Sequence, residues 1–474
     1  MFLKGMRRLF KLIFFIISPF FVNGQINTFQ TGTNKLFLES FSDTITASVS
    51  DTSLHISIEP RLFGVSSLEG NQTYNSYLIG ASLSANISNK ITVISTYDYL
   101  KGNHNSLIHD YQDSLRVFPG FDLGSKRWQL NVRYKLNKFI SADFGKGKYF
   151  IGNGYRSLLL STEHSPYPYF KLTTEFGRVK YYNLYTTFLD IQNLNQNRKK
   201  HASIHFLDFK LTHNINIGVF EGVLWQAKDE NYNRGYDVEY LNPIIFYRPV
   251  EFSKHSPDNV LMGANFNAKI DKTTLYGQIL LDDLNIARQK DGDENYSGGF
   301  FQNKFAYQLG LKSSFKEVNT LIEYNQAQPY TYAHKESMQT YTHMNQALAH
   351  PQGANFKEVV ALANYRKHKW RFIVKLTVAR VGLDSLNTHY GQNIFASDFK
   401  AQGDNQEYSY GNFNGQGVLT HINTMHTEII YSLNWFDIFG SVFYKKKKSD
   451  LVDQTSLWYS LGIRTFPFST FKDY

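Results

Sequence analysis

Residues 127–136 read Arg-Trp-Gln-Leu-Asn-Val-Arg-Tyr-Lys-Leu, a strict alternation of polar and apolar side chains. In a β-strand successive side chains point to opposite faces, so this stretch places its apolar side chains on one face and its polar side chains on the other. The same alternation recurs around Ile79, Phe266 and Leu461. A strand that separates lipid from a wet interior requires this pattern. The sequence therefore predicts an all-β chain of the transmembrane antiparallel β-barrel class.

The alternation continues through most of the chain and defines eighteen candidate strands. Most have about the 9–11 residues that a tilted membrane strand requires. An even number is expected of a single-chain bacterial barrel, and sixteen strands is the alternative because the ends of the pattern are ragged. The candidate strands are 54–63, 76–87, 91–100, 126–136, 138–147, 168–177, 178–190, 203–212, 214–224, 258–270, 272–283, 304–315, 318–326, 357–367, 369–380, 421–433, 435–446 and 456–466.

The connections between these strands fall into two length classes. After each even-numbered strand the link is tight, as at Asp271-Lys272, whereas after each odd-numbered strand it is longer, with the extremes at 225–257, 327–356 and 381–420. Outer-membrane barrels show this asymmetry, with short periplasmic turns and long extracellular loops. A soluble β-sandwich or propeller has no reason to sort its loops in this way. The connections therefore favour the barrel over a secreted all-β protein.

The N-terminus has the features of an export signal. Lys4, Arg7, Arg8 and Lys11 precede an apolar stretch, and the small residues Asn23-Gly24 follow it. This order is typical of a secretory signal peptide, and the apolar stretch is short for a membrane span. We expect a signal peptide at 1–24, a periplasmic or plug segment at 25–53, and the barrel at 54–474, in the outer membrane of a Gram-negative bacterium.

Composition excludes several classes of function. The chain has no cysteine, which rules out disulfides, thiol nucleophiles and cysteine-ligated metal sites. The formal net charge of +10 falls to about +6 once the signal peptide is removed, too little to indicate nucleic-acid binding. There is no G-x-S-x-G motif, and His334, His343 and His350 match no zinc-binding spacing. We therefore expect no enzymatic activity, no metal and no cofactor.

Polar and aromatic side chains gather in three of the long loops. Aromatic rings pack against the faces of sugars, and Arg or amide groups hydrogen-bond to their substituents, so this composition is typical of a carbohydrate surface. We expect a ligand-binding cluster near the barrel mouth. Its candidate residues are Tyr155, Arg156, Tyr167, Tyr169, Tyr247, Arg248, His350 and Asn355.

The same loops carry a resemblance to a known family. The stretches Gly152–Ser161 with Pro166–Tyr169, Asn242–Pro249, Tyr276–Asp283 and His350–Asn355 resemble the gliding-motility protein RemB and the broader capsule-assembly Wzi family of outer-membrane proteins. The resemblance extends through the mature chain and is more specific for the RemB-like branch. It implies an eighteen-stranded barrel that holds capsular polysaccharide at the cell surface or takes part in gliding, without a catalytic residue set.

The function that the sequence predicts is therefore non-enzymatic binding of extracellular polysaccharide, in capsule assembly or in surface adhesion during gliding. The expected partners are outer-membrane lipid and lipopolysaccharide, which the run Lys445–Lys448 would contact, extracellular polysaccharide, and other envelope proteins. Nucleic acid is not expected. Two alternatives come from other classes of function: a passive porin-like solute channel, and a subunit of a secretion or motility assembly.

Overall fold

The computed structural model describes residues 47–51, 54–103, 116–192, 198–228, 233–243, 258–283, 299–385, 388–399 and 409–474. Within these ranges the main sheet has nineteen strands, and eighteen of them form a closed antiparallel barrel. The barrel strands are β1 (Leu54–Glu69), β2 (Gln72–Ile87), β3 (Ile91–Gly102), β4 (Lys126–Lys135), β5 (Ile140–Gly147), β6 (Tyr167–Phe176), β7 (Val179–Asp190), β8 (Arg198–Lys210), β9 (Ile215–Gln226), β10 (Asn259–Ile270), β11 (Thr273–Asp283), β12 (Lys304–Phe315), β13 (Val318–Ala327), β14 (Phe356–Lys367), β15 (Trp370–Leu383), β16 (Val418–Ser432), β17 (Asp437–Lys448) and β18 (Asp453–Arg464). The prediction of eighteen strands is confirmed, and the alternative of sixteen is wrong.

The barrel closes where the first strand pairs with the last. Phe63 of β1 lies opposite Arg464, and the pairing continues to Glu69 opposite Trp458. The first part of β1, which β18 does not reach, pairs instead with the short strand Ala47–Asp51. Closure leaves no open sheet edge at this seam, as a membrane barrel requires. Of the predicted N-terminal segment 25–53, this short strand is the described part, and it pairs with β1. The predicted signal peptide and the remainder of that segment lie outside the described residues.

The alternation of apolar and polar residues in the sequence corresponds to an alternation of exposed and buried side chains in the barrel wall. In β18, Leu457, Tyr459, Leu461 and Ile463 are exposed, while Trp458, Ser460 and Arg464 between them are buried. Exposed apolar side chains occur on strands all around the barrel, including Ile79 of β2, Leu309 of β12 and Val378 of β15. These side chains form the lipid-facing surface, and the polar side chains between them face the interior.

The predicted asymmetry of the connections is confirmed with two exceptions. The turns on one side are tight, and several of them begin with a residue of positive φ, such as Asp271, Lys316 and His368. On the other side, β1 and β2 continue as a paired ribbon to a turn at Gly70-Asn71, where Gly70 has a φ of 58°. The prediction of a long connection after the first strand is therefore wrong, because the residues up to Glu69 and from Gln72 pair as β-strands instead. The link 449–452 between β17 and β18 is also short.

The principal apolar core lies inside the barrel. Leu158, Leu159 and Leu160, in the connection after β5, pack in one buried cluster with Tyr332 and Tyr341 from the connection after β13. Helix is confined in the described ranges to three short 3-10 segments: Leu123–Ser125, Val238–Leu241 and Ser337–Gln339. No described helix has the length and apolar character to cross a membrane.

Candidate functional site

The connection 148–166 between β5 and β6, which we call the inner loop, enters the barrel and lies against its wall. Ser157 fixes its tip, because its hydroxyl donates to the carbonyl of Ile151 at 2.5 Å and accepts from the amides of Leu159 and Leu160. Gly154 permits the close approach to the wall: a Cβ there would lie 2.2 Å from a carboxylate oxygen of Glu323 on β13. The sequence thus brings a backbone turn into direct contact with inward-facing strand residues.

Two carboxylates of the wall hold the inner loop in place. Glu323 accepts hydrogen bonds from the backbone amides of Tyr155 and Arg156, at 2.8 and 3.0 Å. Glu358 of β14 accepts from the guanidinium of Arg156, at 3.2 and 3.3 Å, and lies 2.8 Å from Nε2 of His350. Both carboxylates are about 1% exposed. Charged groups and hydrogen-bond donors offset the lost hydration of a buried carboxylate. Glu358 has the Arg156 guanidinium for this, and Glu323 has the two backbone amides.

The segment 465–474 after β18, which we call the C-terminal segment, also lies inside the barrel. Its Asp473 accepts from the Arg156 guanidinium at 3.0 Å and from the hydroxyl of Tyr155 at 3.1 Å, and forms an ion pair with Lys375 of β15 at 3.1 Å. Phe471 stacks on Phe443 of β17, with ring centroids 5.0 Å apart. Arg156 therefore joins the inner loop to the C-terminal segment and to the wall.

The charges at this junction are stabilised in their ionised forms. Burial acts to lower the pKa of Arg156, but Asp473 and Glu358 outweigh it and hold that pKa above its ordinary value. Burial acts to raise the pKa of Asp473, but Arg156 and Lys375 outweigh it and hold that pKa well below the usual range. Near neutral pH the junction is thus an ion network, while burial lowers the pKa of His350 and favours its neutral form.

Four of the eight predicted site residues meet at or next to this junction. Tyr155, Arg156 and His350 are linked through Asp473 and Glu358. Asn355, at the end of the connection after β13, donates to the carbonyls of Gly382 and Gln416 and has a φ of 55°. Arg156 is 2% exposed, and His350 and Asn355 have no exposed surface. These side chains form internal hydrogen bonds and ion pairs that fix the loops.

The other four predicted residues are placed differently. Tyr167 is fully buried and stacks on His164, with ring centroids 5.3 Å apart. Tyr169 is 8% exposed, and its hydroxyl accepts from Asn131 at 2.6 Å. Tyr247 and Arg248 lie outside the described residues.

A cavity of about 240 Å³ opens among the long connections, on the side opposite the tight turns. We call it the mouth cavity. Side-chain amides and apolar groups line most of it, and Glu163 is the one acidic side chain among its described lining residues. The lining residues are Pro119, Glu163, Asn345, Gln346, Ala347, Pro351, Gln352, Gly353, Gln392, Asn393, Ile394, Phe395 and Tyr474.

One amide of the mouth cavity lacks a partner. Gln352 is 7% exposed, and its Nε2 has no hydrogen-bond acceptor among the described residues. Its backbone carbonyl accepts from the side chain of Gln392 at 3.0 Å, which holds the two amides together. A buried donor without an acceptor costs free energy that a ligand hydroxyl would recover. The cavity therefore suits a neutral polyhydroxyl ligand.

Sequence reasoning missed the residues that organise this region. Glu323 and Glu358 occupy inward positions of β13 and β14, where a charge in an alternating strand is the available signal. The amides of the mouth cavity come from two separate connections, those after β13 and after β15, and from no common motif. Among the described residues, no group of three or more His, Asp or Glu side chains is arranged to hold a metal ion. His343 accepts from the amide of Leu189 at 3.0 Å, an ordinary structural contact.

No protein-family model and no curated protein matches the chain. Among solved structures it is similar to Wzi of Escherichia coli, described as an outer-membrane protein involved in group 1 capsule assembly and a carbohydrate-binding β-barrel. The identity is 14%, the match covers 86% of this chain and 84% of Wzi, and the TM-score is 0.55. The fold is that of a Gram-negative outer-membrane β-barrel.

Two further outer-membrane proteins match less closely. OprD of Pseudomonas aeruginosa is 10% identical over 90% of this chain and 98% of its own, with a TM-score of 0.45. OccAB2 of Acinetobacter baumannii is 9% identical over 86% and 97%, with a TM-score of 0.46. At these identities the similarities concern the fold alone. The resemblance to Wzi that the sequence indicates is therefore supported as a similarity of fold.

Proposed function

We propose that this chain is a non-enzymatic outer-membrane barrel that binds extracellular polysaccharide at its mouth, in capsule assembly or in surface adhesion during gliding. The observation that carries the proposal is the mouth cavity, where Gln352, Gln392 and Asn393 present amides beside the ring of Phe395. Amides that hydrogen-bond to hydroxyls, next to an apolar or aromatic surface, are the chemistry that sugars require. The description of Wzi as a carbohydrate-binding barrel supports the same proposal.

The filled interior favours a surface binder over a solute channel. The inner loop and the C-terminal segment meet at Arg156 and Asp473, and each also contacts the wall, through Glu358 and Lys375. A porin of this size keeps a wet, open path through its interior. Here buried ion pairs hold chain segments across that path, so a passive channel is the less favoured alternative.

In this proposal the predicted site residues have two kinds of role. Tyr155, Arg156, His350 and Asn355, with the buried Tyr167 and Tyr169, hold the connections that shape the mouth cavity. Tyr247 and Arg248, on the connection between β9 and β10, are proposed to contact the polymer directly. Lipopolysaccharide remains a proposed partner for the end of β17. Lys445 is an exception, because its Nζ donates to the carbonyl of Tyr474 inside the barrel.

The test is binding of purified surface polysaccharide from the host cells to the immobilised barrel. We expect the pair Gln352→Ala and Asn393→Ala to weaken binding, while the matched amide pair Asn71→Ala and Gln454→Ala, at exposed positions, leaves it unchanged. Absence of binding by the unmodified protein, together with steady open currents in planar bilayers, would favour the channel. If the pair Gln352→Ala and Asn393→Ala does not weaken binding, the polysaccharide binds outside the mouth cavity.

A further inference from the structure

A second cavity, of about 310 Å³, lies between the C-terminal segment and the barrel wall. We call it the inner cavity. It reaches toward the tight-turn side, because Arg371 near the start of β15 and Arg464 at the end of β18 line it. Its volume is within the range of small-molecule binding sites, about 300–1,000 Å³.

The lining of the inner cavity is rich in cations. Among the described residues, six cationic side chains and three carboxylate side chains line it. The cations are Arg127, Lys148, Arg371, Lys375, Arg464 and Lys472, and the carboxylates are Glu163, Glu428 and Asp473.

Ion pairs compensate only part of this charge. Three pairs account for all three carboxylates: Arg464 with Glu428 at 2.9 Å, Lys375 with Asp473 at 3.1 Å, and Lys472 with Glu163 at 2.9 Å.

Two of the remaining cations have partners outside the lining. Arg127 pairs with Asp98, which also pairs with Arg61. Arg371 donates from Nε to the amide oxygen of Asn364 at 3.1 Å. With six cationic and three carboxylate side chains among its described lining residues, the cavity carries an excess of positive charge that attracts an anion.

Lys148 stands out within this excess. Its ammonium group makes no hydrogen bond and no ion pair with any residue that the structure describes. Its Nζ lies close to the backbone of Gly120, 3.4 Å from where a Cβ of that residue would stand. Burial lowers the pKa of Lys148 to about 7, and the neighbouring cations Arg127 and Lys472 act in the same direction. An anion in the cavity would offset both effects.

We infer that the inner cavity binds a small oxyanion, a phosphate, sulfate or carboxylate group, with Lys148 as its principal ligand. The inference is independent of the polysaccharide at the mouth, because it rests on charge and volume in a different part of the barrel. Lys148 supplies a flexible ammonium that reaches the anion, and the surrounding arginines supply the positive potential.

The probes are inorganic phosphate, glucuronate and glucose, titrated calorimetrically into the full mature chain in detergent. We expect the two anions to bind and glucose to show no binding at this site. We expect Lys148→Met to weaken phosphate binding by about tenfold or more, because the charged donor is lost while an unbranched side chain of similar volume is kept. Lys101→Met, at an exposed lysine on β3, is the matched control and leaves the affinity unchanged.

Each outcome is decisive. Binding of phosphate alone points to a free oxyanion, and binding of glucuronate alone points to an acidic sugar; either supports the inference. Absence of anion binding, or equal phosphate affinity of the unmodified chain and Lys148→Met, overturns it.

Should Lys148→Met fail to fold, acetylation of Lys148 in the unmodified chain, followed by mass spectrometry, replaces it. Phosphate at saturating concentration is expected to slow that acetylation severalfold. An unchanged rate would contradict the assignment of Lys148 as the ligand.

Discussion

The mouth cavity and the inner cavity share Pro119 and Glu163, yet their walls differ in chemistry. Uncharged amides and apolar groups dominate the mouth cavity, whereas six cationic side chains line the inner cavity. The two cavities also differ in the part of the chain that lines them. Connections between strands line nearly all of the mouth cavity, whereas inward-facing strand residues line much of the inner cavity. A barrel can thus vary its outer surface through its loops while the charge of its interior is set by the alternating strands.

The largest effect on both cavities is expected from substitution of Arg156, which joins the inner loop to the C-terminal segment beside them. Arg156→Met leaves Glu358 and Asp473 buried without their shared cation. Loss of one member of a buried ion pair costs about 3–5 kcal/mol, so we expect marked destabilisation of both segments and a new leak of ions. Hydrogen exchange over 148–166 and 465–474 and conductance in planar bilayers measure the two effects.

The control for this change is Arg178→Met. Arg178 is exposed at a tight turn and donates only to the carbonyl of Leu211 among the contacts resolved for it. Exchange and conductance should match those of the unmodified chain. If Arg156→Met behaves like this control, the ion network does not hold the interior closed.

Substitutions in each cavity test whether the two cavities bind their ligands independently. We expect Gln352→Ala with Asn393→Ala to weaken polysaccharide binding by about threefold to tenfold, since each net hydrogen bond contributes about 0.5–1.5 kcal/mol, and to leave phosphate binding unchanged. Lys148→Met should have the opposite pattern. Titration of both ligands against both variants measures this. If each variant weakened both ligands equally, the two cavities would be a single site.

The pH dependence should also separate the two cavities. Sulfate is the suitable probe, because its charge is constant over the range tested. Lys148 is a cation below its pKa of about 7, so sulfate binding should weaken as pH rises through and above that value. Its charged neighbours are Arg127, Lys472, Asp122 and Glu163, and the pKa of Glu163 is lowered to about 2 by Lys472 and Arg156 against the effect of burial. Polysaccharide binding to the amides of the mouth cavity should stay constant over about pH 6–9, because side-chain amides do not titrate in this range.

His426 also lines the inner cavity and titrates in principle, so His426→Gln is the control for the pH experiment. The decline of sulfate binding with pH should persist in this variant and disappear in Lys148→Met. A decline that disappears in His426→Gln instead would assign the pH dependence to the histidine.

The smallest expected difference concerns salt. Mobile ions screen charge over about 10 Å at 0.1 M and about 3 Å at 1 M, so anion binding in the inner cavity should weaken severalfold between these concentrations. Polysaccharide binding at the mouth should change by less than about twofold. Equal salt sensitivity of the two ligands would mean that charge does not distinguish the cavities.

The sequence predicts the strands of the barrel wall far better than the segments that lie inside the barrel. Alternation over residues such as Leu457 to Arg464 depends only on the two faces of a strand, so it predicts the barrel, its strand number and its lipid face. The ribbon to Gly70 was missed because polar residues in 64–75 interrupt the alternation outside the lipid, where either face is tolerated.

The site was less predictable for a physical reason. The partners of Arg156, namely Glu358 and Asp473, are 202 and 317 positions away in the chain, and nothing in the local pattern of either indicates an ion pair. The described loop residues that were predicted to bind a ligand have polar and aromatic neighbours. Most of their polar atoms nevertheless contact the protein itself, which composition cannot distinguish from contact with a sugar.

The location of the C-terminal segment also constrains the order of assembly. Residues 465–474 are enclosed by a wall whose seam joins β1 to β18, so they cannot be surrounded until the two ends of the sheet have met. Until then Asp473 is not enclosed with Arg156 and Lys375, and the ion network is incomplete. Completion of the cylinder and burial of this ion network are therefore coupled, because these charges lose their hydration only when the two ends of the sheet have met.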